Sequence, residues 1–163
     1  MTDDDSTDGN GSSFDFETRT LQDGYSYWRS KLVDGRLPRR SNINPIDIPR
    51  LMPHAVMLDV KRDPEFDFRY RLIGTYVAEH LFTDHTGSWF SEIEHQKPPS
   101  QIWENCKRVA ESGEAFLAAT PYVGPHQGYR RVEDIILPLA EDGETVDTLL
   151  VFVCYTSMSQ TQP

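Results

Sequence analysis

The sequence predicts an α+β domain built on an antiparallel sheet, and three observations carry that prediction. Phe66, Phe68, Tyr70 and Leu72 alternate with Asp67, Arg69 and Arg71, the period-two pattern of a strand with one apolar and one charged face. Three strand-like runs close the chain, the last two separated by Asp142-Gly143, a strong hairpin signal. Two segments with apolar residues at helical spacing stand apart from these strand groups, and grouped strands of this kind argue for an α+β fold.

The first helix is predicted over residues 20–33, because Leu21, Tyr25, Trp28 and Leu32 fall at steps of four, three and four on one face. Gly35 and Pro38 mark its end. Arg29, Lys31, Arg36, Arg39 and Arg40 form a basic stretch on and after it, read either as a solvated face or as a patch for an anion or acidic partner. Four prolines between Pro38 and Pro53 make a crossing segment with a short helical turn over 45–51. A strand over 55–60 follows, and Asp63-Pro64-Glu65 supplies turn chemistry into the patterned strand, which ends at Ile73-Gly74. Residues 75–99 read as short helices and loops, with a helix over 75–81 and a tight turn at Asp84-His85-Thr86-Gly87.

A longer helix is predicted over 100–112. Ser100 is its cap, Ile102, Trp103, Cys106, Val109 and Ala110 form its apolar stripe, and Gly113 stops it. The closing strands are predicted over 115–122, 129–139 and 147–155.

The 163 residues, 37% of them hydrophobic, suffice for one substantial core. Formal charge is −10, from 16 basic and 26 acidic residues. Six of the acids fall within residues 1–17, which hold no base, so the remainder carries 20 acids against 16 bases. Residues 1–17 are therefore expected to be a disordered acidic tail, 18–156 the folded domain, and 157–163 a loose C-terminus. A mildly acidic domain makes nucleic acid a poor partner. No apolar run approaches the ~20 residues of a membrane span, and the acidic start is unlike a signal peptide. A cytoplasmic location and no membrane partner are expected. Cys106 and Cys154 are too few for a disulfide framework.

The residues Phe68-Arg69-Tyr70-Arg71-Leu72-Ile73-Gly74-Thr75 with Asp84-His85-Thr86-Gly87, together with Leu37-Pro38-Arg39-Arg40-Ser41 and Asn44-Pro45 upstream, resemble the PAS domain. They look like stand-alone bacterial PAS-like proteins of alphaproteobacterial type, over residues 21–155. The resemblance implies a five-stranded antiparallel sheet with helices on one face and an N-terminal flanking helix. It implies a sensory or interaction module, without selecting a ligand.

No Gly-rich phosphate loop, nucleophile elbow or His-Glu-x-x-His pattern occurs. His80 and His85, with Asp84, lie near one another in sequence and read as loop residues or, less favourably, as a metal or acid–base group. Glu133-Asp134, adjacent in a strand, point to opposite faces and form no shared site. No catalytic residue, metal ligand or cofactor is expected. The resemblance adds that haem would require a histidine on or near the long helix; residues 100–112 hold none, His95 lies just before them, and haem is not expected. A flavin adduct would require a reactive cysteine elsewhere than Cys106, which shares the apolar stripe.

The resemblance places a ligand pocket between the long helix and the sheet. Its walls are expected to include Tyr70, Leu72 and Trp89 from the first hairpin and middle. Ile102, Trp103 and Cys106 would come from the long helix, and Leu137 and Phe152 from the last strands. The same residues equally suit a dry core, and both readings stand. The resemblance also implies a homodimer through the helical stripe Leu21, Tyr25, Trp28 and Leu32, and a signal that leaves through a partner chain. The alternative is a small ligand-binding α+β protein or enzyme with a cone-shaped, isomerase-like fold.

Overall fold

The computed structural model describes residues 14–157. The expected disorder of residues 1–13 and of the last six residues lies outside the described residues. Residues 14–17, expected in the tail, are packed: Phe14 and Phe16 set their rings against Tyr25 at 5.1 and 5.7 Å. Those two phenylalanines supply the apolar anchor that the acidic composition masks.

Helix α1 (Arg19–Arg29) starts at Thr18, whose Oγ1 accepts the Leu21 N–H at 3.3 Å. It ends earlier than the periodicity predicts. Ser30 Oγ donates to the Tyr27 carbonyl at 2.6 Å, and Lys31 and Leu32 close tighter turns onto Trp28 and Arg29. Three short 3-10 turns carry the proline-rich segment to β1 (Ala55–Lys61). Strand β2 (Asp67–Ile73), the one-turn helix α2 (Thr75–Ala78) and helix α3 (Gln101–Ser112) follow, then β3 (Phe116–Pro121), β4 (Tyr129–Leu139) and β5 (Thr148–Ser157). Ser100 Oγ caps α3 by accepting the Trp103 N–H, and Gly113 ends it at φ +71°. Beyond β4, Asp142 Oδ1 gathers the Glu144 and Thr145 N–H groups at 2.8 and 2.7 Å, and Gly143 takes φ +83°.

The five strands form one sheet in the order β2-β1-β5-β4-β3, every neighbouring pair antiparallel. Both faces are covered. Helix α3 packs on the inner face around Leu58, Phe68, Val109, Ile136 and Leu149. Helix α1 packs on the outer face, where Leu21 and Trp28 meet Ile135, Leu137 and Phe152. Gly24 permits the close approach, since a side chain there would collide with the Phe152 ring.

This arrangement corrects the expected dimer seam. Leu21, Tyr25 and Trp28 are buried by the chain's own sheet, and the Trp28 Nε1–H donates to the Pro138 carbonyl at 2.9 Å. Leu32 is half-buried beside the same cluster. The stripe has its partner already.

A second correction concerns Leu72. Tyr70 pairs with Leu58 but Leu72 pairs with Met57, so Arg71 is an extra residue in β2. The bulge turns Leu72 onto the outer side, where it is 37% exposed. Arg69 and Arg71 also face outward and both bond to Asp59, at 3.0 and 2.8 Å. Burial pushes the Asp59 carboxyl up, but the hydrogen bonds from Arg71 and Arg69 outweigh it and hold the group below its ordinary value. In the basic stretch, Lys31 pairs with Asp47 and Arg36 with Glu144. Residues 87–89 lie along β2: Tyr70 donates to the Ser88 carbonyl, Gly87 donates to the Tyr70 carbonyl, and Trp89 bridges to Arg69.

Candidate functional site

A cavity of about 270 Å³ lies between α3 and the inner face of the sheet. Val56, Leu58, Ile136, Val151 and Val153 form its sheet wall, and Ile102, Asn105 and Cys106 its helix wall. These positions follow from local structure. Alternation along β4 and β5 turns Val132, Asp134, Ile136, Val151 and Val153 inward, and the 3.6-residue period brings Ile102, Asn105 and Cys106 to one side of α3. The exposed lining residues His95 and Val123 mark where the cavity reaches the surface.

Few polar groups meet the cavity, and most are satisfied. The buried Tyr70 hydroxyl donates to Gln96 Oε1 at 2.9 Å. Gln101 Nε2 donates to Asn105 Oδ1 at 2.9 Å. Asp134 is the exception. It is 8% exposed, and its Oδ1 has no hydrogen-bond partner among the described residues. Burial, and then the charge of neighbouring Glu133, push its carboxyl up to about 7.

Glu133 itself points to the outer face, as the alternation predicts. There its carboxylate accepts the Glu17 N–H at 2.7 Å and the Thr18 hydroxyl at 3.0 Å, holding the start of α1. Two consecutive acids thus have separate surroundings on the two sides of one strand. Burial also raises the Cys106 thiol and the Tyr70 and Tyr155 hydroxyls, so all three face Asp134 uncharged at neutral pH. A buried thiol of raised pKa is a poor nucleophile. The arrangement suits recognition of a small molecule through one polar point in an apolar chamber.

An aromatic group closes one end. The buried His80 stacks on Tyr155, with ring centroids 4.1 Å apart and planes at 13°. Its Nδ1 lies 2.7 Å from the Tyr76 carbonyl, while Tyr122 donates its hydroxyl to the His80 carbonyl at 2.7 Å. His85 lies elsewhere, against Tyr70 and His95. Among the described residues, no group of three or more potential metal ligands occurs.

Of the expected walls, Tyr70, Ile102 and Cys106 line the cavity. Five others do not. Leu137 and Phe152 pack under α1 on the outer face. Leu72 is turned outward by the bulge, and Trp89 packs its ring against Lys61 and Arg69, at 4.9 and 5.4 Å. Trp103 is buried in the inner core, its Nε1–H bonded to the Phe66 carbonyl at 3.0 Å. Sequence reasoning missed Asp134 as a cavity group. Its signal was available: an acid in step with Val132 and Ile136, the inward-facing alternation of β4.

Among the described residues, no helix is long and apolar enough to cross a membrane. No curated protein matches the chain. Among solved structures, a sensory box sensor histidine kinase from Vibrio cholerae is 13% identical, over 69% of this chain and 92% of that chain, with a TM-score of 0.46. The family model for the PAS domain matches residues 16–153. That span runs from the segment packed against Tyr25 to the inner-facing Val153 and takes in β1 to β4 whole and the first six residues of β5, which sets aside the cone-shaped alternative. The chain belongs to the PAS domain family.

Proposed function

We propose that this PAS domain is a non-enzymatic sensory module that binds a small molecule between α3 and the sheet and passes its state to a partner chain, a second copy included. The observation that carries the reading is the chamber of about 270 Å³ with an unpartnered carboxylate in its wall. A buried polar group without a partner costs free energy in the fold, and a ligand that meets it recovers that cost. The chamber is close to the lower end of ordinary ligand clefts. Any second copy must use a surface other than the apolar stripe of α1.

Native mass spectrometry of the purified protein tests the reading, because it reports retained ligand and oligomeric state together. The expected spectrum shows a mass above that of the chain. The added mass disappears in Ile102→Trp, whose larger side chain grows from α3 into the chamber. A wild-type protein without added mass, whose melting temperature is also unmoved by small aromatic amines, alcohols and acids, overturns the proposal.

A further inference from the structure

We infer that the ligand is a small organic cation, a protonated nitrogen base on a mainly apolar body, whose N–H group donates to the Asp134 carboxylate. The inference rests on the reading of the chamber as a ligand site. It adds the chemical class that the site would take.

Charge decides between classes. Asp134 is the single carboxylate lining the chamber among the described residues, and no Lys or Arg lines it there. An anionic ligand would set two negative charges together in a medium of low dielectric. A wholly apolar ligand would seal the chamber and leave the Asp134 carboxylate without a donor. A cation supplies both the missing donor and the missing charge, as buried charges require.

The groups that face Asp134 leave that role open. Tyr70 from β2, Cys106 from α3 and Tyr155 from β5 are neutral, and the Tyr70 hydroxyl already donates to Gln96. His95 lines the exposed end of the chamber, and Glu133 lies on the far side of the strand. The Tyr70 and Tyr155 rings add aromatic surface, which attracts a cation. Size follows from volume. An apolar cavity of ~150 Å³ takes benzene, so about 270 Å³ takes roughly a dozen non-hydrogen atoms.

Proton balance gives a second signature. Asp134, with its carboxyl pushed up to about 7, is mostly protonated at pH 6. Binding of the cation then forms the carboxylate–ammonium pair, and the carboxyl proton leaves to solvent.

The test is isothermal titration calorimetry at pH 6, in two buffers of different ionisation heat, with three probes that share a phenyl ring on a two-carbon chain: phenethylammonium, 2-phenylethanol and 3-phenylpropionate. Phenethylammonium is expected to bind at least tenfold more tightly than either the alcohol or the acid, and to release close to one proton per site. Asp134→Asn should lose both the preference and the proton release while still binding the alcohol. Asp134→Ser serves in its place if the first variant does not fold. Equal binding of the three probes by wild type overturns the cation assignment and leaves the ligand site standing. A preference or proton release that survives in the variant overturns it equally. Failure of all three probes on both proteins overturns the ligand site itself.

Discussion

Replacing Asp134 with Asn should stabilise the fold in a strongly pH-dependent way. In the unfolded chain the carboxyl ionises near its ordinary value of 3.8, and in the fold near 7, with burial as the main cause. Between those two values the folded chain holds a proton that the unfolded chain has lost. Stability therefore falls as pH rises through this window, at ~1.36 kcal/mol per pH unit. Over a window of about three pH units, the penalty reaches about 4 kcal/mol. Below the window both states are protonated and the penalty is absent; above it the penalty is complete. Asn is neutral throughout. Asp59, whose carboxyl is held low, acts in the opposite sense, its stabilisation being lost as pH falls. Both proteins share that group, so it cancels from the difference. Urea unfolding of the two proteins at pH 5 and pH 8 is the assay. The advantage of the variant should grow from about 1–2 kcal/mol at pH 5 to about 4 kcal/mol at pH 8. An advantage that is flat across this range, or a variant less stable at pH 8, refutes the reasoning. A group that weakens the fold when ionised is better explained by what the chamber holds than by stability.

Two further outcomes follow from the packing of α1. Trp28→Phe keeps a ring in place but strands the Pro138 carbonyl that accepts its Nε1–H. It should cost about 1–3 kcal/mol in urea unfolding, and a loss within experimental error would show that bond to be idle. Gly24→Ala sets a methyl group against the Phe152 ring and should cost about 1–3 kcal/mol through overpacking. Phe152→Leu in the same chain should recover part of that loss, and strict additivity of the two changes would contradict the proposed collision.

Local signals in the sequence were legible where they act locally. Ser100 and Gly113 bracket α3 as expected, and the period-two pattern finds β2. The misplacements share one physical origin, the covering of the central strands on both faces. In Ile135-Ile136-Leu137 and through Leu149–Cys154, inward and outward residues are alike apolar, so alternation no longer says which face a side chain takes. Leu137 and Phe152 went to the wrong side for that reason. The α1 stripe had no visible partner in sequence because its partner is that hidden outer face. A one-residue bulge at Arg71 leaves no mark in composition, yet it reverses Leu72. Asp134 is instructive in another way. Its inward position follows from alternation, but the lack of a donor for its Oδ1 depends on how α3 and β5 close around it, a property of packing alone.

The segment 87–89 that lies along β2 has a consequence for how the domain can meet other chains. A sheet in the order β2-β1-β5-β4-β3 ends at two outer strands, each offering unpaired amide groups to a neighbour. On β2 the central groups are spent, since the Tyr70 N–H and carbonyl are taken by Ser88 and Gly87 and Arg69 is bridged by Trp89. Among the described residues, β3 has no such cover. Its open row is six residues long and closes with Pro121, which has no N–H to give. A foreign strand that extends this sheet would have to dock along β3, in a stretch too brief for long-range stacking and already ended by its own proline.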